Sequence, residues 1–168
     1  MYYAHTDGGS RGNPGPAGYG WMLLRNDSLI AYEHGYMGAD STNNQAEYQG
    51  VLRLFEYLNE HYRGSPIEIR CDSQLVVKQL EGDFRVKDAA MFALHQRVQA
   101  LMAEYGREHI TFRWVRRNHN RCADLLVNVA IDELKEPTIS ENNKNQFAFR
   151  LKGLYTFYDK PGLLAAAH

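Results

Sequence analysis

Three short runs of apolar, aromatic and β-branched residues lie near the start of the chain, at residues 2–6, 19–24 and 29–36. Gly/Pro-rich and Asn-Asp sequences, which favour turns, separate these runs. Runs of this length between turn signals are typical of strands. The pattern therefore predicts that the chain begins with an antiparallel meander of three strands.

From residue 45 the spacing of apolar residues becomes helical. One stripe predicts a long helix over residues 45–62, and it consists of Tyr48, Val51, Leu52, Phe55, Leu58 and Tyr62. Strand-like runs predict two further strands, at 67–71 and 110–115. Helical spacing predicts three further helices, at 74–80 with Ser73 as its cap, at 90–105 and at 122–134. The predicted order is βββαβααβα, an α/β fold.

Composition changes beyond residue 134, where Pro137 is followed by an Asn/Lys-rich stretch. We therefore divide the chain into a main domain, residues 1–135, and a C-terminal tail, residues 136–168, which we expect to pack on that domain. Near-alternating apolar side chains occur in the tail at Phe147, Phe149, Leu151, Tyr155 and Phe157. Such an aromatic strand could extend the sheet, cover one of its edges or reach a partner chain.

The overall composition limits the classes of function. The chain has 168 residues, of which 44% are apolar, enough for one substantial core. Its formal net charge of -1 argues against binding polyanions by bulk charge, so any nucleic-acid contact must be local. Because Cys71 and Cys122 are the only cysteines, we expect two free, buried thiols. With no basic-then-apolar leader and no long apolar run, we expect a cytoplasmic protein without membrane segments.

Four acidic residues, Asp7, Glu47, Asp72 and Asp124, lie at predicted ends or beginnings of elements. We expect Asp7 to close the first strand and Asp72 the fourth, with Glu47 in the first turn of a helix and Asp124 near the start of another. An acid near the start of a helix is also stabilised by the positive end of the helix dipole, which would explain Glu47 or Asp124 without a metal. If the four converge, however, they require a cation, because two charges about 4 Å apart repel by roughly 4 kcal/mol at an effective dielectric of about 20. Mg²⁺ prefers such oxygen ligands.

The sequence around these acids resembles type 1 ribonuclease H. Four blocks carry the resemblance, in the order expected for that family: TDGGSRGNPGPAGYG at 6–20, TNNQAEY at 42–48, CDSQ at 71–74 and ADLL at 123–126. The resemblance implies the ribonuclease H-like fold, with a mixed five-stranded sheet flanked by helices. It also implies an endonuclease that cuts the RNA strand of RNA/DNA hybrids with two divalent ions and leaves 5′-phosphate and 3′-hydroxyl ends.

Residues carried over from the resemblance form a catalytic set and a substrate set. The four acids match the family's metal ligands, which implies two Mg²⁺ ions, with Mn²⁺ as an alternative, and Asp7 as the best candidate to bridge both. The substrate set consists of Gly8, Gly9, Asn43, Asn44 and Gln74 for the minor groove, Asn13 and Thr42 for a DNA-strand phosphate, and Arg117 for a phosphate. The expected partner is a hybrid duplex, bound by a monomer.

Two departures from the family pattern point to a compact variant, similar to archaeal and plant-like members. Residues 82–89 hold only Arg85 and Lys87 as basic residues, so the long basic protrusion of some members is absent. His119 lies only five residues before Asp124, on a shorter loop than the one that carries the histidine assisting product release in many members. His119 could have the equivalent catalytic role or could pack against its neighbours.

Three other classes of protein remain as alternatives. A noncatalytic hybrid-binding module is expected to have lost one of the four acids, and none is missing. A resolvase-like or integrase-like nuclease acting on DNA would not need the region around Gly8 and Asn44 that resembles a 2′-hydroxyl reader. A metal-dependent phosphatase would lack a groove for a duplex.

Overall fold

The structure is a computed structural model that describes residues 1–162, so the last six residues of the predicted tail lie outside the described residues. The elements, numbered along the chain, are β1 Tyr2–Ser10, β2 Ala17–Arg25, β3 Ser28–Tyr36, α1 Asn43–His61, β4 Ile67–Cys71, α2 Gln74–Glu81, α3 Ala89–Tyr105, β5 Ile110–Trp114, α4 Arg121–Asp132, β6 Thr138–Ser140 and α5 Gln146–Leu154. Short 3-10 turns lie at Arg107–His109 and Arg117–His119, and a π-helical turn at Tyr155–Asp159 follows α5.

The sheet is mixed and has the strand order β5-β4-β1-β2-β3-β6. Strands β1, β2 and β3 form the predicted antiparallel meander, whereas β4 and β5 run parallel to β1. The predicted α/β fold is confirmed, but the sheet has a sixth strand. Tail residues Thr138–Ser140 pair with residues 32–34 and cover the edge that β3 would otherwise expose.

Helices cover both faces of this sheet. A large buried cluster lies between the sheet and helices α1, α2 and α3, and a second cluster lies between the sheet and helices α4 and α5. The predicted stripe of α1 is buried from Tyr48 to Leu58. Ser73 caps α2 as predicted, since its hydroxyl accepts a 3.2 Å hydrogen bond from the Val76 amide. Both cysteines are free and buried, also as predicted.

Two glycines let helices approach the central strands closely. A Cβ atom on Gly8 would overlap the backbone of Ala46 and Glu47 in α1, and one on Gly20 would overlap the Leu126 side chain in α4. Since Gly20 pairs with Asp7, both helices reach the centre of the sheet beside this residue. Helix packing therefore explains Gly8 without any ligand.

The tail packs on the second face of the sheet, but its aromatic residues form a helix. Asn145 caps α5, because its side chain accepts a 2.7 Å hydrogen bond from the Ala148 amide. Leu151 and Tyr155 are buried in the second cluster, whereas Phe149 is 59% exposed. The interpretation of these residues as an aromatic strand is wrong, since the buried positions 148, 151 and 155 have helical spacing. Among residues 1–162, no helix combines the length and apolar character that a membrane span requires.

Candidate metal centre and cleft

Asp7, Glu47 and Asp72 come together at the middle of the sheet, where each offers a carboxylate oxygen and these oxygens lie within 4.8 Å of one another. The prediction that Asp7 closes β1 is wrong, because β1 continues to Ser10 and keeps its pairing with β2. The parallel pairing of β1 with β4, however, ends at Thr6 and Cys71. Asp7 and Asp72 each follow that last pair, which places their side chains next to each other.

Glu47 reaches this pair from α1. It lies in the second helical turn and not in the predicted first, because Thr42 and Gln45 form a capping box that begins the helix at Asn43. The Cys71 thiol lies 3.7 Å from the Glu47 carboxylate and can donate to it. Burial raises the pKa of the Cys71 thiol well above its usual value, which keeps the thiol protonated as a donor.

The negative charges of the three carboxylates repel one another, and the Arg117 guanidinium offsets only part of this repulsion at Asp7. Burial raises the pKa of Asp7 well above its usual value, and the charges of Asp72 and Asp124 raise it further. Glu47 has a raised pKa for the same reasons, first burial and then the charges of Asp7 and Asp72. A divalent cation would remove this repulsion, and three carboxylates provide the oxygen ligands that Mg²⁺ or Mn²⁺ prefers. The residues present therefore fit a metal site.

Asp124 approaches the same site from another direction. It lies in the first turn of α4, as predicted, and its side chain is 29% exposed. Its carboxylate lies 3.5 Å from the Arg117 guanidinium and accepts a 3.3 Å hydrogen bond from the Asn128 amide group. Asp124 is close enough to influence the pKa of Asp7, but it is not one of the three carboxylates in contact range of one another.

Asn120 connects the two parts of the site, and the sequence did not reveal it. Its side-chain amide donates to Asp72 Oδ2 at 3.3 Å and to the Thr6 carbonyl at 2.8 Å. Its Oδ1 lies 3.0 Å from His5 Nδ1, so His5 carries its proton on Nδ1 and donates it. Burial lowers the pKa of His5, which favours this neutral form. Asn120 immediately precedes α4, where an asparagine usually serves as the helix cap. The sequence therefore suggested a capping role and gave no sign of the contact with Asp72.

An open cleft of about 540 Å³ adjoins the carboxylates. It is lined by the four acids together with Gly8, Gly9, Ser10, Arg11, Asn43, Arg117, Val127, Asn128 and Ile131. Asn128 was also missed, although it lies four residues after Asp124 and therefore on the same face of α4. Small and polar groups line the rim on the β1 side, so an extended polar ligand can approach the acids.

The predicted substrate residues divide between two places. Gly8, Gly9, Asn43 and Arg117 line the main cleft. Asn13, Thr42 and Asn44 line a second depression, at the start of α1 and beside Asp88 at the start of α3. Gln74 is exposed at the first position of α2 and lines neither of these two.

Several of these residues also have structural partners. Asn43 accepts a 2.8 Å hydrogen bond from the Ser10 amide, and Asn13 accepts one of 3.0 Å from the Asn43 amide. Thr42 caps α1. These contacts hold the loop after β1 against the start of α1, so the two depressions have a fixed spacing.

His119 lies on the 3-10 turn Arg117–His119 and contacts the tail. Its Nδ1 lies 2.7 Å from the Tyr158 carbonyl oxygen, an acceptor, so Nδ1 carries the proton. His119 is not among the residues that line the main cleft. Its catalytic role stays a prediction, and the contact with Tyr158 is the packing alternative.

Comparisons with known proteins agree with this geometry. A family model described as "Reverse transcriptase-like" matches residues 5–130. The chain is 40% identical over 131 residues to ribonuclease HI of Halobacterium salinarum, covering 78% of this chain and 64% of that protein. It is 32% identical over 150 residues to ribonuclease H of Methylococcus capsulatus, covering 79% of this chain and 90% of that protein.

A solved structure gives the same result in three dimensions. LC11-RNase H1, crystallised in complex with an RNA/DNA hybrid, superimposes with a TM-score of 0.74 at 33% identity, covering 80% of this chain and 99% of that one. The chain spans between 34% and 64% of the length of the curated relatives that are 40% identical to it. The similarity therefore concerns only part of the length of those proteins.

Proposed function

The chain belongs to the ribonuclease H family, and from that premise we propose that it hydrolyses the RNA strand of RNA/DNA hybrids endonucleolytically, leaving 5′-phosphate and 3′-hydroxyl ends. The observation that carries the proposal is the group of buried carboxylates from Asp7, Glu47 and Asp72 at the wall of an open cleft. Carboxylates gathered in this way, with Arg117 beside Asp124 as the nearby cation, favour metal-dependent phosphodiester chemistry.

The four acids would hold two divalent ions, Mg²⁺ or Mn²⁺. Such ions supply an activated water, orient the scissile phosphate and stabilise the leaving oxygen. Asp7 is the candidate bridging ligand, because β1 is flanked on both sides by other strands and Asp7 is within reach of Glu47 and Asp72. Asp124, more exposed, would complete the site from α4.

Recognition of the hybrid would use the two depressions. The main cleft presents Gly9, Asn43 and Arg117 beside the acids, in a position to contact the RNA strand across a wide, shallow minor groove. The second depression, with Asn13, Thr42 and Asn44, offers polar groups for a backbone phosphate of the DNA strand. A single chain carries both depressions, which supports action as a monomer.

The enzyme would be a compact type 1 member. The connection from α2 to α3 consists of residues 82–88, in which Arg85 and Lys87 are balanced by Asp83 and Asp88. Because this connection lacks a basic protrusion, hybrid binding would depend on the cleft itself. The protein would then contact few phosphates, so its affinity for the hybrid would fall only gradually as the salt concentration rises. The cytoplasmic location stays a prediction.

The test is cleavage of a labelled RNA/DNA hybrid beside matched RNA/RNA, DNA/DNA and single-stranded RNA, with Mg²⁺ and with chelator. The expected result is metal-dependent cutting of the hybrid's RNA strand alone, with 5′-phosphate ends, and no cutting by the Asp72→Asn variant. Binding of the hybrid without cleavage would make the chain a binding module, and cleavage of DNA would assign it to the resolvase-like branch of the fold. Either result would refute the proposal.

A further inference from the structure

The end of the tail returns to the metal site. The π-helical turn Tyr155–Asp159 follows α5 and lies against the beginning of α4, the helix that carries Asp124. Asp159 is fully buried there. It lies beyond residues 5–130, the part of the chain that the family model matches. The contacts of Asp159 therefore come from the tail and not from the part of the chain that matches the family model.

Asp159 supplies the cap of α4. Its Oδ1 accepts a 2.8 Å hydrogen bond from the Arg121 amide and its Oδ2 one of 2.9 Å from the Cys122 amide. The first amides of a helix have no partner within the helix, and a negative charge there is favourable. Asn120 occupies the usual capping position, but its side chain makes no capping hydrogen bond. An aspartate from the far end of the chain takes that place.

This arrangement leaves the Asn120 side chain free for the metal site. Asn120 Oδ1 accepts the hydrogen bond from His5, and in that position it cannot also cap α4. With Asp159 as the cap, Asn120 instead faces the sheet and donates to Asp72. The Asp124 amide donates to the Asn120 carbonyl at 3.1 Å, so the capped turn is the one that sets the position of Asp124.

The same residue also contacts the strand that leads to Asp72. The Asp159 carbonyl accepts a 3.2 Å hydrogen bond from Arg70, a buried residue of β4 that also pairs with Glu68. Next to it, the Tyr158 ring lies under the Arg121 guanidinium at 4.6 Å. The tail thus contacts both α4, which carries Asp124, and β4, the strand that Asp72 follows.

We propose that Asp159 is a positioning residue of the metal site, which fixes the first turn of α4 and thereby places Asp124 and frees Asn120 to orient Asp72. The inference rests on the proposed metal-dependent function, which it extends to the tail. Partners of metal ligands typically contribute about 10- to 100-fold to metal affinity. Asp159 acts one residue further away, so we expect its loss to weaken metal binding by about three- to tenfold.

The first experiment compares Asp159→Ala and Asp159→Asn with the wild type, with Tyr155→Phe as the matched control. Tyr155 lies in the same turn, and its hydroxyl bonds to Asp27, away from α4. Calorimetry with Mn²⁺ or Mg²⁺ alone, well below each melting temperature, measures metal affinity without substrate. We expect the largest loss for Asp159→Ala, an intermediate loss for Asp159→Asn, which keeps one acceptor, and none for Tyr155→Phe.

A second measurement needs no variant. If Asp159 couples the tail to the metal site, linkage requires that metal binding stabilise the docked tail in return. Amide hydrogen exchange of residues 155–159 and of Arg121 and Cys122 in the wild type should slow when Mn²⁺ or Mg²⁺ is added, and by a larger factor than exchange in α3, which carries none of the four acids and reports the general stabilisation by bound metal. This measurement decides the matter even where Asp159→Ala does not fold.

The outcomes are distinct. Weaker metal binding in the Asp159 variants, or exchange that metal slows more in the tail than in α3, supports the proposal. A lower melting temperature with unchanged metal affinity, or tail exchange that ignores the metal, overturns it and leaves Asp159 as a residue of stability alone. Since these readouts use no nucleic acid, a wild type that binds metal but leaves the hybrid intact would refute the proposed function and not the role of Asp159.

Discussion

The two sides of the metal site are built in different ways. On one side, Asp7 and Asp72 follow a pair of adjacent central strands, and Glu47 is held beside them by a helix packed directly on Gly8. On the other side, Asp124 lies on a helix whose first turn depends on Asp159 from the tail. The first side is made by neighbouring elements of the main domain, and the second by a contact spanning more than thirty residues. We therefore expect the first side to be rigid and essential, and the second to be adjustable.

Asp7→Asn should have the largest effect. Removing the central carboxylate should lower turnover by more than about 1000-fold, which is about 4 kcal/mol of barrier at roughly 1.4 kcal/mol per tenfold change in rate. Cleavage assays with saturating Mg²⁺ measure this loss, and Asp83→Asn, on the surface and paired with Lys78, is the control. Near-normal turnover of Asp7→Asn would remove Asp7 from the proposed site.

The same variant should be more stable than the wild type when no metal is present. Because the folded pKa values of Asp7 and Glu47 are raised, their ionised forms oppose folding above those values. Stability of the metal-free wild type should therefore rise as pH falls through the raised pKa values, and this rise should be smaller in Asp7→Asn. Thermal melts with chelator between neutral and mildly acidic pH measure both effects. A lower melting temperature for Asp7→Asn at neutral pH would contradict the electrostatic account.

Asp124→Asn should have a smaller effect than Asp7→Asn. Asp124 is partly exposed and lies outside the group of three contacting carboxylates, so its loss should lower turnover by about 10- to 100-fold. Higher Mg²⁺ should recover part of the activity, since the other three acids remain. A titration of turnover against Mg²⁺ for both variants measures the difference. Equal losses that Mg²⁺ does not relieve would show that both sides of the site are equally essential.

The sequence predicted the four acids of both sides, but not the contacts that complete the second side. Asp7, Glu47 and Asp72 lie in or next to periodic strands and a helix, which local patterns reveal. The end of β1 and the start of α1 were nevertheless misplaced, because pairing with β2 and the Thr42 capping box set them. Asn120 and Asp159 acquire their roles only when the tail folds back on α4, and no local pattern encodes that contact.

The tail itself shows how two patterns can compete. Phe147, Phe149 and Leu151 alternate, which favours a strand, whereas Asn145 is a residue type that favours the N-cap of a helix, and it caps α5. The buried surface decided between them, because positions 148, 151 and 155 face the second cluster. The extra strand β6 was equally hidden, since Thr138–Ser140 is too short to show a period.

Arg117→Ala tests the adjustable side from the cleft. Arg117 is 83% exposed and lies 3.5 Å from Asp124, so its attraction to that acid is weak in water and leaves it available for a phosphate. We expect KM for the hybrid to rise about three- to tenfold, with a smaller change in kcat and a salt dependence shallower by about one phosphate contact. Steady-state kinetics at several salt concentrations provide the measurement. Arg63→Ala, just after the end of α1 and paired with Glu104, is the matched control. A change in kcat alone would argue against a phosphate contact.

His119→Ala should have the smallest effect, and it also separates the two roles left open for this residue. A positioned acid or base typically contributes about 100-fold or more to the rate. Because Nδ1 donates to the Tyr158 carbonyl and His119 does not line the main cleft, we expect a loss of less than about tenfold, as for a residue that holds the loop to the tail. The measurement is turnover as a function of pH for His119→Ala and His119→Asn, the latter able to keep the hydrogen bond to Tyr158. If the Asn variant retains activity and both profiles keep the wild-type shape, His119 acts through the tail. A loss of about 100-fold in both variants, with an altered pH profile, would instead assign it a direct part in proton transfer.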